Sequence, residues 1–218
     1  MMLNLFSVFD PSTGMLSLNW LSMILFIIIL PPSFWKTPSK MNLMLMVTMM
    51  KIMTEVVMHI KTIKPSILMV SMFMFLLVIN IMGLLPYVFT ASAHLSMSLA
   101  IALTMWTSLM IYGWINSTNK MFTHLVPMGT PNLLMPFMVI IESISNLIRP
   151  GSLAVRLTAN MIAGHLLMSL LGNNLVSNLP LMMIMMWLFM GLMAFELAVA
   201  FIQSYVFMTL STLYSSEI

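Results

Sequence analysis

Five ionisable side chains stand in stretches of this chain that are otherwise apolar. Glu142, Arg149, Arg156 and His165 fall within 24 residues among Ile, Leu and Ala, and Glu196 is the single charge between Leu179 and Tyr214. A charge near the middle of a membrane segment costs about 2.5 to 3.5 kcal/mol on insertion scales. Such groups therefore face a protein interior or a water-filled cavity, and they mark function by default. Arg156 has no acidic residue three or four positions away, and its helical neighbours at i+3, i+4 and i+7 are Ala159, Asn160 and Ala163. That face is small and partly polar, so a second helix can approach the guanidinium closely. Arginine stays charged at any accessible pH. It suits a site that attracts and releases a carboxylate without titrating itself; the structural alternative is a snorkelling or ion-paired arginine.

His165 follows Arg156 by nine positions, about half a turn around the helix, so the spacing places it on the opposite face. In the final run Glu196, Ala200 and Gln203 form one stripe at i, i+4 and i+7. A glutamate and a histidine on two packed helices could pass a proton between them. Glu142, Asn146 and Arg149 share a third stripe. Two readings stand there: a structural Glu142–Arg149 pair, or Glu142 at the mouth of an aqueous channel. His59, His94 and His124 read as solvent-facing or loop residues. No metal-ligand spacing, phosphate-cradling glycine loop or nucleophile–base pairing is visible, so the expectation is no cofactor, no metal and no catalytic site of the chain's own.

The elements that must hold these groups are membrane helices. Of 218 residues, 61% are hydrophobic and 6% charged, where a soluble domain carries about 25% charged residues. There is no cysteine, which excludes disulfides and thiolate metal sites. The segment Met1 to Asp10 has neither a secretory cleavage pattern nor the arginines of an import presequence, so synthesis close to the membrane is expected. The 31 methionines are spread along the chain, a pattern that favours codon bias in an AT-rich organelle genome over use as apolar filler. The net charge of +3 is small and gives no nucleic-acid signal. Lys36, Lys40, Lys51, Lys61 and Lys64 cluster between two apolar runs, which marks a loop on the side of synthesis.

The predicted fold class is all-α and polytopic. A first span covers 11–35, bounded by Asp10-Pro11 and Pro31-Pro32. Residues 41–63 interleave charged and apolar residues, with Lys51, Glu55 and His59 four apart, which predicts an interfacial amphipathic helix. Residues 66–119 form a hairpin of two steep spans. After Pro127, Pro131 and Pro136 come two long apolar helices, 132–172 and 179–214, with a bend expected at Pro150-Gly151. At about 1.5 Å per residue the last reaches roughly 50 Å. This exceeds a hydrocarbon core of about 30 Å, so it is expected to be strongly tilted.

Three motifs carry a resemblance. They are Leu153-Ala154-Val155-Arg156-Leu157-Thr158-Ala159-Asn160 with Ala163-Gly164-His165-Leu166, then Asn80-Ile81-Met82-Gly83-Leu84-Leu85-Pro86-Tyr87, then Phe195-Glu196-Leu197-Ala198-Val199-Ala200-Phe201-Ile202-Gln203. Together they resemble the a subunit of the F-type ATP synthase membrane sector. The start, Asn4-Leu5-Phe6-Ser7-Val8-Phe9-Asp10-Pro11, is similar to mitochondrially encoded invertebrate members. The resemblance implies three steep spans, an interfacial helix, and two nearly horizontal helices that wrap a rotating ring of c subunits. It implies a multi-pass place in the mitochondrial inner membrane, with the c-ring, other membrane-sector subunits, lipid and protons as partners. It also implies two offset half-channels kept apart by Arg156. Glu196, His165, Asn160 and Gln203 match polar positions lining the proton path, and Glu142 matches an acidic one. Two other classes were weighed, a respiratory proton-pump subunit and a non-conducting assembly scaffold. The first needs haem- or copper-ligand histidines, or charges on several spans.

Overall fold

The computed structural model describes residues 5–12, 18–24, 37–85, 88–126, 129, 131, 134–177 and 182–217. Six α-helices occur among them: α1 (Lys40–Ile60), α2 (Ile63–Gly83), α3 (Leu95–Asn116), α4 (Thr118–Leu125), α5 (Met135–Ser177) and α6 (Met182–Glu217). Short 3-10 helices cover Leu5–Phe9, Leu18–Ile24 and Ala91–Ala93, and no strand occurs among the described residues. All the α-helices except α4 are long and apolar enough to cross a membrane. The chain is a polytopic helical membrane protein.

Much of the expected first span, residues 13–17 and 25–35, lies outside the described residues, and within it Leu18–Ile24 is a 3-10 helix. The expected helix at 41–63 is α1. The Ser39 hydroxyl caps its start by accepting from the Asn42 N–H at 3.4 Å. Its end is turned by Lys61 at φ 60°, a left-handed position rare for a residue with a Cβ. Lys51, Glu55 and His59 all lie on its exposed face, while Val56 is buried against α2 and α6. By length and hydropathy alone α1 also qualifies as a span. The charged stripe is the feature that argues for the interface.

The hairpin at 66–119 resolves into α2, the Ala91–Ala93 turn and α3. Pro65 sits in the first turn of α2, where its missing N–H breaks no helical hydrogen bond. The expected single run to Asn119 instead ends at Asn116. Ser117 breaks the chain, and α4 follows as a separate helix carrying Lys120 and His124. His124 is therefore an exposed helical residue rather than a loop residue. His94 is also corrected: its ring is stacked on Phe89 at 5.1 Å and tilted against Trp20 at 5.3 Å, so it does not face solvent.

The long helices begin and end a few residues from the expected limits of 132–172 and 179–214. The first is one continuous helix, as α5 runs on through Pro150, where a bend was expected. Only one helical hydrogen bond is lost at a proline, and neighbouring packing holds the helix there: Pro150 is buried, and Leu153 and Ala154 lie in a core with Leu76, Ala102 and Phe207. With 43 and 36 residues, α5 and α6 are about 65 and 54 Å long. Neither can stand upright within a hydrocarbon layer of about 30 Å. Distinct cores pack against them: Val56, Phe73 and Met208 in one, Leu157 and Phe207 in a second, and Leu84, Met168 and Ala200 in a third.

Candidate functional site

The site follows from which side of α5 is locked. Leu153, Ala154, Leu157, Thr158, Met161, Gly164 and Met168 are buried at helical spacing, which fixes the rotation of the helix against α2, α3 and α6. The opposite face carries Val155, Arg156, Ala159, Ala163 and Leu167, all exposed. Arg156 therefore projects from the outer face, flanked by two alanines, and it makes no ion pair among the described residues.

Two contacts set the register of α5 against α6. Asn160, one turn beyond Arg156, donates its amide hydrogen to the Gln203 carbonyl at 3.0 Å. One turn further, Gly164 faces the Glu196 carboxyl so closely that any Cβ there would overlap it. Position 160 pairs with 203 and position 164 with 196, so the two helices run antiparallel. Glu196 and Gln203 are 5% and 6% exposed, so both functional groups lie inside the seam between the helices.

His165 lies on the α5 side away from Arg156, as its spacing predicts. Its ring meets Phe9 edge-on at 6.2 Å, and its Nε2 is buried with no hydrogen-bond partner among the described residues. The structure brings Glu196 against Gly164, the neighbour of His165, without a direct Glu196–His165 bond. Glu142 lies about 21 Å before Arg156 along α5. It contacts Arg149 at 3.7 Å, and the Arg149 guanidinium lies 5.0 Å over the Tyr214 ring. The structural pair is thus formed. Partly exposed, this pair contributes at most about 1 kcal/mol.

Sequence reading passed over several polar groups here. Asn80 is 0% exposed with neither amide atom partnered, and the Thr90 and Ser92 hydroxyls and His94 Nε2 are buried and unpartnered among the described residues. More than about 90% of buried polar groups in proteins find a partner, protein or water. A Cβ at Gly83, one turn from Asn80, would lie 3.3 Å from both Thr90 Cγ2 and Met161 Cε. The unpartnered groups of α2 and the Ala91–Ala93 turn therefore adjoin the α5 face that carries Met161 and Gly164. Asn80 stood in one of the three motifs inside a charge-free run and His94 in the hairpin turn, but nothing in their spacing marked them as buried and unpartnered. Gly164 was legible as a helix-interior glycine, which costs about 1 kcal/mol relative to alanine and so implies a close approach. Among the described residues no three potential metal ligands come together.

Fold and site together define a class: a multi-helix membrane protein with a carboxyl and two amide side chains gathered between two long antiparallel helices and a permanent cation on the outer face. The family model described as ATP synthase A chain matches residues 15–216. Proteins described as ATP synthase subunit a are similar along their whole length and the whole of this chain. That of Locusta migratoria is 51% identical over 230 residues, that of Anopheles gambiae 50% over 225, and that of Drosophila melanogaster 51% over 223. The chain belongs to the ATP synthase A chain family.

Proposed function

We propose that the chain is the proton-conducting stator subunit of an ATP synthase membrane sector in the mitochondrial inner membrane. It works against a ring of c subunits and other membrane-sector subunits. The observation that carries this reading is the division of α5 into two faces. Its buried face holds the protonatable seam, and its outer face presents Arg156 between small residues. A guanidinium exposed on an apolar helix needs a carboxylate from outside the chain, and Ala159 and Ala163 leave room for a helix that brings one.

In this reading a proton reaches the Glu196 carboxyl through the unpartnered polar groups of Asn80, Thr90, Ser92, His94 and His165, which are groups that ordered water satisfies. Asn160 and Gln203 continue the polar line towards Arg156. Glu142, on the far side of Arg156, serves the second half-channel. The two acids are displaced along α5 in opposite directions from Arg156, by about 21 Å for Glu142 and about 12 Å for the level of Gly164. This separation supports two offset paths that do not join. Arg156 repels a proton trying to pass directly between them and attracts the deprotonated ring carboxylate. It separates the paths without carrying protons. In this arrangement α2 and α3 are steep spans, α1 lies in the interface, and α5 and α6 lie strongly tilted against the ring.

The chain has no native cysteine, so Ala159→Cys and Ala163→Cys give single attachment points on the outer face. Oxidative cross-linking of the intact complex is expected to join them to cysteines placed in a small ring-forming proteolipid. Failure to reach any such neighbour, with the complex assembled, would remove the rotor from the account.

A further inference from the structure

We propose that the pocket between α3, α4, α5 and the end of α6 seats the phosphate of an anionic phospholipid. The pocket has a volume of about 210 Å³, and its polar lining comes chiefly from Trp106, His124, Asn146, Arg149 and Tyr214. Among its described lining residues none is a carboxylate, and the nearest, Glu142, is paired with Arg149. Arg149 supplies a permanent positive charge at its wall, with the guanidinium held by Glu142 on one side and the Tyr214 ring beneath it.

The second observation is the Trp106 indole. Its Nε1 is buried and has no hydrogen-bond partner among the described residues. An indole N–H only donates, so only an acceptor can satisfy it. A donor-only group beside a fixed cation selects an anionic oxygen over a cation or a neutral donor.

The third is position. Tyr112, Trp114 and Lys120 lie exposed at this end of α3 and on α4, and Trp114 packs edge-on against Phe122 at 5.0 Å. Tyrosine and tryptophan gather at the level of lipid headgroups. A cation and an indole donor at that depth meet phosphodiesters of the bilayer before any solute, and the apolar pocket walls suit the glycerol and first acyl carbons.

The test uses the intact complex in phosphatidylcholine nanodiscs doped with a photoreactive phosphatidylglycerol. Adducts are expected on the Trp106–Trp114 and Thr118–Leu125 segments. Trp106→Phe should lower their yield about tenfold, the scale of one hydrogen bond to a charged oxygen. Asn146→Asp adds a negative charge at nearly constant shape. It should lower phosphatidylglycerol labelling more than labelling by a photoreactive phosphatidylcholine, whose choline cation offsets the added charge. Equal labelling by both lipids in the unaltered protein would overturn the proposal, as would wild-type yield in both variants. Displacement by millimolar inorganic phosphate would assign the pocket to a free anion and overturn the lipid source.

Discussion

A methyl group added to Gly164 would occupy space that the Glu196 carboxyl fills. Gly164→Ala therefore changes no charge, yet must move the acid by a substantial fraction of an ångström or push α6 away from α5. Misplacement of about 1 Å in a working site costs up to about 100-fold in rate. Proton flux through the assembled complex, followed by a pH-sensitive dye, should fall by at least about tenfold. A variant conducting at the normal rate would show that the contact does not position the acid. At this scale the sequence singles out residues whose chemistry clashes with their surroundings, as at Arg156 and Glu196 in apolar runs. The seating of Glu196 on Gly164 was not legible, because it depends on the register between two helices.

The polar pair between α5 and α6 belongs to the scale of elements. Asn160 and Gln203 lock the antiparallel register midway between Arg156 and Glu196. Hydrogen bonds between membrane helices average about 0.6 kcal/mol and reach about 1.7. A double-mutant cycle with Asn160→Leu and Gln203→Leu on detergent unfolding of the full chain should return a coupling in that range. Additive single effects would mean that apolar packing alone sets the register. Helix existence was readable from charge-free runs, and the ends of α5 and α6 fell close to the expected limits. Two features were not. Proline at position 150 signalled a bend, and spacing does not show that the packing of Leu153 and Ala154 against three other helices supports α5 there. The break at Ser117 carries no glycine or proline to announce α4.

Across the whole molecule, a proton crossing 100 mV releases about 2.3 kcal/mol. That work is captured only if the two paths never connect except through the rotor. In the proposed reading Glu142 on α5 and Glu196 on α6, at the level of Gly164, stand on opposite sides of Arg156. The outer face of α5, however, could not be identified from spacing alone. Both faces of the helix are rich in Ala and Leu, and only the packing of α2, α3 and α6 shows which one is covered. The most direct test of the central claim is ATP-driven proton pumping by inner-membrane vesicles carrying Arg156→Ala in an assembled complex. Loss of coupled pumping is predicted, because nothing then separates the two paths or attracts the ring carboxylate. Pumping at the normal rate would contradict the account.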